Sequence, residues 1–257
     1  MRLQVENLSY SYGAKEVVHR VFLQVNEGEF VGLIGANGSG KSTILKNIYR
    51  ALTPSNGNIL LDGENLLKMS YKKSAQKMAV VGQENDIPFD FTVEEIVSMG
   101  RSPYKKLFDI DNEKDKSIVH HALEHMGIEN MAKRNYLYLS GGEKQRVIIA
   151  RAIAQETDFL ILDEPTNHLD INYQMQILDF IKRLKVTVLS AIHDLNMAAL
   201  YCNRIYVLKE GKVVLYGTPE EVLTPNNIFD VYGVRCVVEK NSITDKISIT
   251  YLPETIK

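Results

Sequence analysis

The sequence predicts an α/β protein, with a core on a parallel sheet, an N-terminal antiparallel β subdomain and an α-helical lobe inserted into the core. Three observations lead there. An apolar run of strand length, Phe30-Val31-Gly32-Leu33-Ile34, feeds a glycine-rich turn that opens a segment with helical spacing, Ile44, Leu45, Ile48 and Leu52. Two more apolar runs, at residues 159–162 and 186–191, deliver polar residues at their carboxyl ends, as the strands of buried parallel sheets do. From about residue 85 to 150 no strand-like run occurs, and the spacing is helical.

In chain order, residues 2–30 read as short strands, Leu3-Gln4-Val5 and Val21-Phe22-Leu23-Gln24-Val25, turning around Gly13. Tyr12 lies upstream of the glycine-rich turn, where an aromatic ring could stack on a base; half-buried strands use tyrosine as well. The turn itself is Gly35-Ala36-Asn37-Gly38-Ser39-Gly40-Lys41-Ser42-Thr43. Gly35, four residues, then Gly40-Lys41-Ser42, set between a strand and a helix, is the pattern of a phosphate-binding loop. Its glycines let successive N–H groups turn inward around a triphosphate, and the helix start adds the positive end of its dipole. Lys41 reaches the β- and γ-phosphates in such a loop, and the Ser42 hydroxyl coordinates Mg²⁺. A turn that merely joined strand to helix would not need a lysine and two hydroxyls at these offsets.

Further on, Asn58-Ile59-Leu60-Leu61 is a strand between the turns Pro54-Ser55-Asn56-Gly57 and Asp62-Gly63. Met78-Ala79-Val80-Val81 is a core strand ending on Gly82-Gln83, which places Gln83 either at the ligand edge of a parallel sheet or in a solvated loop. Thr92-Val93-Glu94-Glu95 is a capping box, and residues 113–126 carry the stripe Ile118, Ala122, Leu123, Met126 up to Gly127. His121 and His125 have chelate spacing there without an evident carboxylate or third ligand, so a solvated helix face is expected, with His120 on it. Ser140 and Glu143 make another capping box, and the helix expected from there to Ala154 opens on Gly141-Gly142, which leaves its first-turn amides approachable by an anion. Phe159-Leu160-Ile161-Leu162 reads as a strand buried on both faces that ends in two acids. Asp163 suits a Mg²⁺ shell, and Glu164 suits the polarisation of an attacking water. The next core strand delivers His193, either to hydrogen-bond a γ-phosphate or as a satisfied core histidine. Ile205-Tyr206-Val207-Leu208 and Val213-Val214-Leu215 form a hairpin turning at Glu210-Gly211, Thr218 caps a short helix, and the last twenty or so residues read as a terminal strand pair.

With 257 residues, 45% of them hydrophobic and 24% charged, the chain suits one large globular domain or a core with a lobe. A net charge of −2 gives no global attraction to nucleic acid. Cys202 and Cys236 have no paired spacing, which argues against a disulfide framework or zinc site and for buried thiols in a reducing compartment. Residues 1–10 alternate as a strand does, so no signal peptide is expected, and no apolar run approaches bilayer length, which makes any membrane role peripheral or dependent on partners.

Together these motifs resemble the ATP-binding cassette (ABC) ATPases, P-loop NTPases with a RecA-like core, over nearly the whole chain. The residues that carry the likeness are Leu139-Ser140-Gly141-Gly142, that superfamily's signature, standing between the phosphate loop and the Asp163-Glu164 strand. On this reading the chain is a single ATPase domain, with a nucleotide-binding core over 1–84 and 155–235, a lobe with the signature over 85–154 and a tail over 236–257. The resemblance implies ATP and Mg²⁺ as cofactors. Asn37, Gly38, Ser39, Gly40, Lys41, Ser42 and Thr43 would surround the phosphates, and Tyr12 would stack on adenine. Ser42, Gln83 and Asp163 would serve Mg²⁺, with Glu164, His193, Gln83 and Lys41 as the catalytic set. It also implies a head-to-tail pair of copies, in which Ser140 and Gly142 contact the γ-phosphate held by the other copy and Asp170 bridges the two sites.

Three phrases are similar to the narrower group that powers importers of ferric siderophores, haem and cobalamin: Gly100-Arg101-Ser102-Pro103, Ala154-Gln155-Glu156-Thr157 and His193-Asp194-Leu195-Asn196-Met197-Ala198. The implied role is ATP hydrolysis driving such an importer from the cytoplasmic face of the membrane, with permease subunits and, indirectly, a substrate-binding protein as partners and no nucleic acid. An ATPase of a zinc or manganese importer, an exporter ATPase, and a soluble cassette protein acting on ribosomes or nucleic acid are the alternatives at this point. Two departures stand out: Gly82 precedes Gln83 where proline is common, and Glu143-Lys144 replaces Gln-Arg or Gln-Gln.

Overall fold

A computed structural model describes residues 2–82, 90–106, 109–110, 112–166, 169–253 and 255. The chain divides into two compact units, Met1–Lys68 with Thr187–Lys257, and Met69–Val186. In the first, β1 (Leu3–Tyr12) buries Leu3, Val5 and Leu8 and pairs antiparallel with β2 (Lys15–Val25). Both strands are longer than the short runs expected, because register shifts after Val5, Leu8 and Tyr10 let pairing continue where strict alternation fails. All six residues of β3 (Phe30–Gly35) are buried, and α1 (Lys41–Ile48) follows the glycine-rich loop. The helix excludes Leu52: Arg50 turns left-handed at φ 66, and the Leu52 N–H donates to the Lys46 carbonyl at 3.0 Å. β4 (Asn56–Leu61) and β5 (Glu64–Asn65) complete an antiparallel sheet in the order β2-β1-β4-β5.

The second unit carries α2 (Tyr71–Ala75), capped by Ser70, and β6 (Ala79–Val81). Three helices follow, α3 (Val93–Ser98), α4 (Glu113–His125) and α5 (Gly141–Ala154), with a 3₁₀ stretch over Met99–Tyr104. Each of the three starts on a capping box. Those of Thr92/Glu95 and Ser140/Glu143 were legible in sequence, and that of Asn112/Asp115 is the Asn/Asp variant of the same device. Gly127, at φ 61, ends the α4 segment as expected. Val93, Ile96 and Val97, Val119, Ala122 and Leu123, and residues 147–150 are buried where these helices pack on one another. β7 (Phe159–Asp163) pairs parallel with β6, Ala79 opposite Leu160, and α6 (Ile171–Arg183) follows.

The chain then returns to the first unit through β8 (Thr187–Ala191), α7 (Leu195–Tyr201), β9 (Arg204–Lys209) and β10 (Lys212–Gly217). β3 lies between β8 and β9, parallel to both, and β10 turns back antiparallel on β9. Short α8 (Pro219–Val222), capped by Thr218, and α9 (Pro225–Tyr232) lead to an antiparallel pair, β11 (Cys236–Lys240) and β12 (Ile247–Tyr251). Asn196 of α7 ties that pair down, accepting from the Ile249 N–H at 2.7 Å and donating to its carbonyl at 3.1 Å. Cys202 and Cys236 are both buried free thiols. No helix among the described residues is long and apolar enough to cross a membrane.

Candidate functional site

β3 delivers the phosphate loop from inside the sheet. At Gly35, φ 151, a Cβ would stand 2.2 Å from the Leu208 carbonyl oxygen and 2.7 Å from Ser39 Oγ, so only glycine lets β9 and the loop approach this closely. Asn37 and Gly38 are exposed, and nothing lies within 4 Å of where a Gly38 Cβ would point. Gly40 is the left-handed N-cap of α1, φ 104, and no side chain caps the helix. Lys41 is buried, its Nζ donating to the carbonyls of Gly35 at 2.9 Å and Ala36 at 3.2 Å. The Ser39 hydroxyl is buried without a hydrogen bond among the described residues. Ser42 and Thr43 are half-buried on the first turn. An uncapped helix start, a cation at the loop and a buried hydroxyl with no partner fit a bound polyphosphate.

Two contacts missed by sequence reasoning brace this loop. Gly211, in the β9–β10 turn, donates its N–H to the Ser39 carbonyl at 3.0 Å and accepts from the His19 N–H at 2.8 Å, which links the loop to β2. The Tyr232 hydroxyl meets the Gly35 backbone; burial raises its pKa, and that hydrogen bond opposes the rise. Only the Glu210-Gly211 turn signal was visible locally, and nothing near it in sequence names Ser39 as its partner. Tyr12 ends β1 with 51% of its surface exposed, edge-on to Tyr10 at 4.9 Å. His193 is exposed two residues beyond β8, and β8 is the parallel neighbour of β3, so it is not a core histidine.

In the second unit, α5 presents its capped N-terminus. The Ser140 hydroxyl donates to Glu143 Oε2 at 2.7 Å, the Ser140 N–H donates to the same oxygen at 2.7 Å, and the Glu143 N–H donates back to Oγ at 3.4 Å. The hydroxyl's hydrogen bond, then the backbone's, hold the Glu143 carboxyl below the usual glutamate range. Gly142 lies beside Leu169, whose Cδ2 would be 3.5 Å from an added Cβ. β7 ends on Asp163, fully buried, and Glu164 follows half-buried in a left-handed backbone at φ 56. Glu164 is one of nine non-glycine residues with positive φ among the described residues, so the angle marks a backbone cost at the end of β7 and not by itself a site. Asp170 caps α6, accepting from the Tyr173 N–H at 3.1 Å. Gln83, Asn167 and His168 lie outside the described residues. On α4, the Glu124 carboxylate meets His120 at 3.4 Å and His121 at 3.2 Å, a partner the His121/His125 spacing had not suggested.

A loop of this geometry opening a helix from a buried parallel strand, in a chain whose β7 ends in a buried acid, defines a P-loop nucleotide hydrolase. Residues 18–167 match the ABC transporter family. The chain belongs to that family and is an ATPase of its cassette type. It is 37% identical over 241 residues to the ferric enterobactin transport ATP-binding protein FepC of Escherichia coli (strain K12), a match that covers 92% of this chain and 89% of that one. With the iron(3+)-hydroxamate import ATP-binding protein FhuC of Bacillus subtilis (strain 168) it shares 39% over 254 residues, 97% of this chain and 94% of the relative. Among solved structures, the dimeric bacterial ABC transporter cassette MJ0796 superposes with a TM-score of 0.76 at 30% identity, covering 84% of this chain and 98% of that one. A further structure of MJ0796 is a post-hydrolysis state bound to ADP and Pi.

Proposed function

We propose that this chain hydrolyses ATP to power a membrane importer for an iron-siderophore, haem or cobalamin. The phosphate loop, with the buried Lys41 at an uncapped helix start, is the observation that carries the ATP chemistry. The likeness to FepC and FhuC supports the cargo class. Residues 1–84 and 155–235 act as the nucleotide core and 85–154 as the lobe. Lys41 and the loop amides at 37–43 hold the phosphates, and Tyr12 stacks on the base. Ser42 and Asp163, with Gln83, would hold Mg²⁺, which would supply neutralisation of the phosphate charge. Glu164 takes a proton from the attacking water, and His193 hydrogen-bonds the γ-phosphate. A second copy, packed head to tail, brings Ser140 and Gly142 to that phosphate and Asp170 to the shared boundary. The assembly works peripherally at the cytoplasmic face of the membrane, on permease subunits fed by a substrate-binding protein.

Lys41→Met is expected to weaken ATP binding by about 10–100-fold, the worth of one charge-assisted phosphate contact, and to abolish transport. The check is uptake of labelled ferric siderophore, haem, cobalamin and zinc in cells carrying wild type or variant. Loss of one iron compound or of cobalamin alone supports the reading; unchanged uptake of all four sinks it.

A further inference from the structure

The two phrases Gly100-Arg101-Ser102-Pro103 and Ala154-Gln155-Glu156-Thr157, far apart in sequence, meet in the second unit as one interlock. Arg101 is its centre, only 4% exposed. Its Nε donates to Asp115 Oδ1 at 3.0 Å, and Nη1 donates both to the Ala154 carbonyl at 2.8 Å and to Glu156 Oε2 at 3.0 Å. The guanidinium also lies 4.4 Å over the ring of Tyr104, whose hydroxyl donates to the Gln155 carbonyl at 2.9 Å. Gln155 Nε2 donates in turn to the carbonyls of Met78, at 2.9 Å, and Ala75. Gly100 is required for the approach, since a Cβ there would stand 2.3 Å from the Arg151 carbonyl oxygen.

These bonds converge on one end of α5. Its last carbonyls are the negative end of the helix, and a buried guanidinium that satisfies Ala154 is a strong anchor for them. Asp115 belongs to the first turn of α4, so the same cation fixes α4 against α5. Burial alone would raise the Asp115 carboxyl, yet hydrogen bonds from Arg101 and the Asn112 backbone, with the Arg101 charge, hold it below the usual aspartate range. Asp115 is therefore ionised at neutral pH and the pair is charged on both sides. The other end of α5, 14 residues away, carries Ser140, Gly141 and Gly142. A helix is stiff over this length, about 20 Å, so a change of aim at Ala154 displaces the signature end.

We propose that Arg101 is a positioning residue for the two-copy ATP reaction, aiming the Ser140–Gly142 end of α5 by clamping its Ala154 end. The proposal rests on the reading in which two copies close on ATP. Because Arg101 and its partners include none of the phosphate-loop residues 35–43, loosening the clamp leaves ATP affinity of the single chain unchanged and weakens closure.

The test combines Arg101→Met with Glu164→Gln and follows ATP-induced dimerisation by size-exclusion chromatography and light scattering, with nucleotide affinity measured in parallel. Glu164→Gln alone is the reference, and if it does not dimerise with ATP, the two-copy reading fails rather than the clamp. The double variant should need at least tenfold more ATP for half-maximal dimerisation while its ATP affinity stays within twofold, and Arg101→Lys, which keeps the charge, should recover part of the loss. Should Arg101→Met not fold, Asp115→Asn in the same background is read instead, with the same expectation. Dimerisation at the reference ATP concentration, or a loss matched by an equal fall in ATP affinity, overturns the proposal.

Discussion

Replacing Glu164 by glutamine is expected to slow ATP hydrolysis by about 10²–10⁴-fold, the usual worth of a general base, while ATP binding persists. Glutamine keeps the side-chain shape at the end of β7 and cannot accept the proton that leaves the attacking water. On the proposed reading it also removes a negative charge beside the bound triphosphate, so the bound state is not weakened and two-copy complexes should accumulate. Single-turnover hydrolysis with nucleotide affinity measured alongside decides the matter. Turnover at the wild-type rate would remove Glu164 from the catalytic set.

The second large effect is expected at Gly211. A Cβ there would stand 2.3 Å from the Val17 carbonyl oxygen and 2.7 Å from His19 Cδ2, on a backbone at φ 74. Left-handed strain costs about 1–2 kcal/mol and overpacking about 1–3 kcal/mol more. Gly211→Ala should therefore unfold about 4–20 °C below wild type. Because Gly211 also donates to the Ser39 carbonyl, the substitution should weaken ATP binding in whatever fraction remains folded. Gly63→Ala is the control: Gly63 has φ 78 with nothing within 4 Å of its Cβ position, so it bears the strain without the clash or the loop contact. If both variants lose equal stability and neither loses ATP affinity, the brace is not what Gly211 supplies.

Features set by neighbours in sequence were legible. The strand–loop–helix at 30–48, the capping boxes at Thr92, Ser140 and Thr218, and the β9–β10 hairpin all rest on residues within a few positions of one another. What escaped depends on partners distant in the chain or on backbone angles that composition does not report. Gly211 read as an ordinary turn because its partner, Ser39, is on another element. Arg101 read as part of a phrase, without Asp115 or Ala154 to explain it. The α1 terminus was misplaced because Arg50 takes the left-handed conformation that glycine or asparagine would have advertised. Asn112 escaped for a simpler reason, since the capping pattern sought a hydroxyl followed by glutamate.

The left-handed backbone of Glu164 has a thermodynamic side. At φ 56 a side chain crowds its own peptide, and glycine alone is free of that penalty. Glu164→Ala and Glu164→Gly delete the same carboxylate, so their difference in melting temperature isolates the strain. The glycine chain should be the more stable by about 1 kcal/mol. An equal melting temperature would mean that the surrounding chain relaxes the angle once the carboxylate is gone. On the expected outcome, the position at the end of β7 holds a residue other than the one that would make the fold most durable.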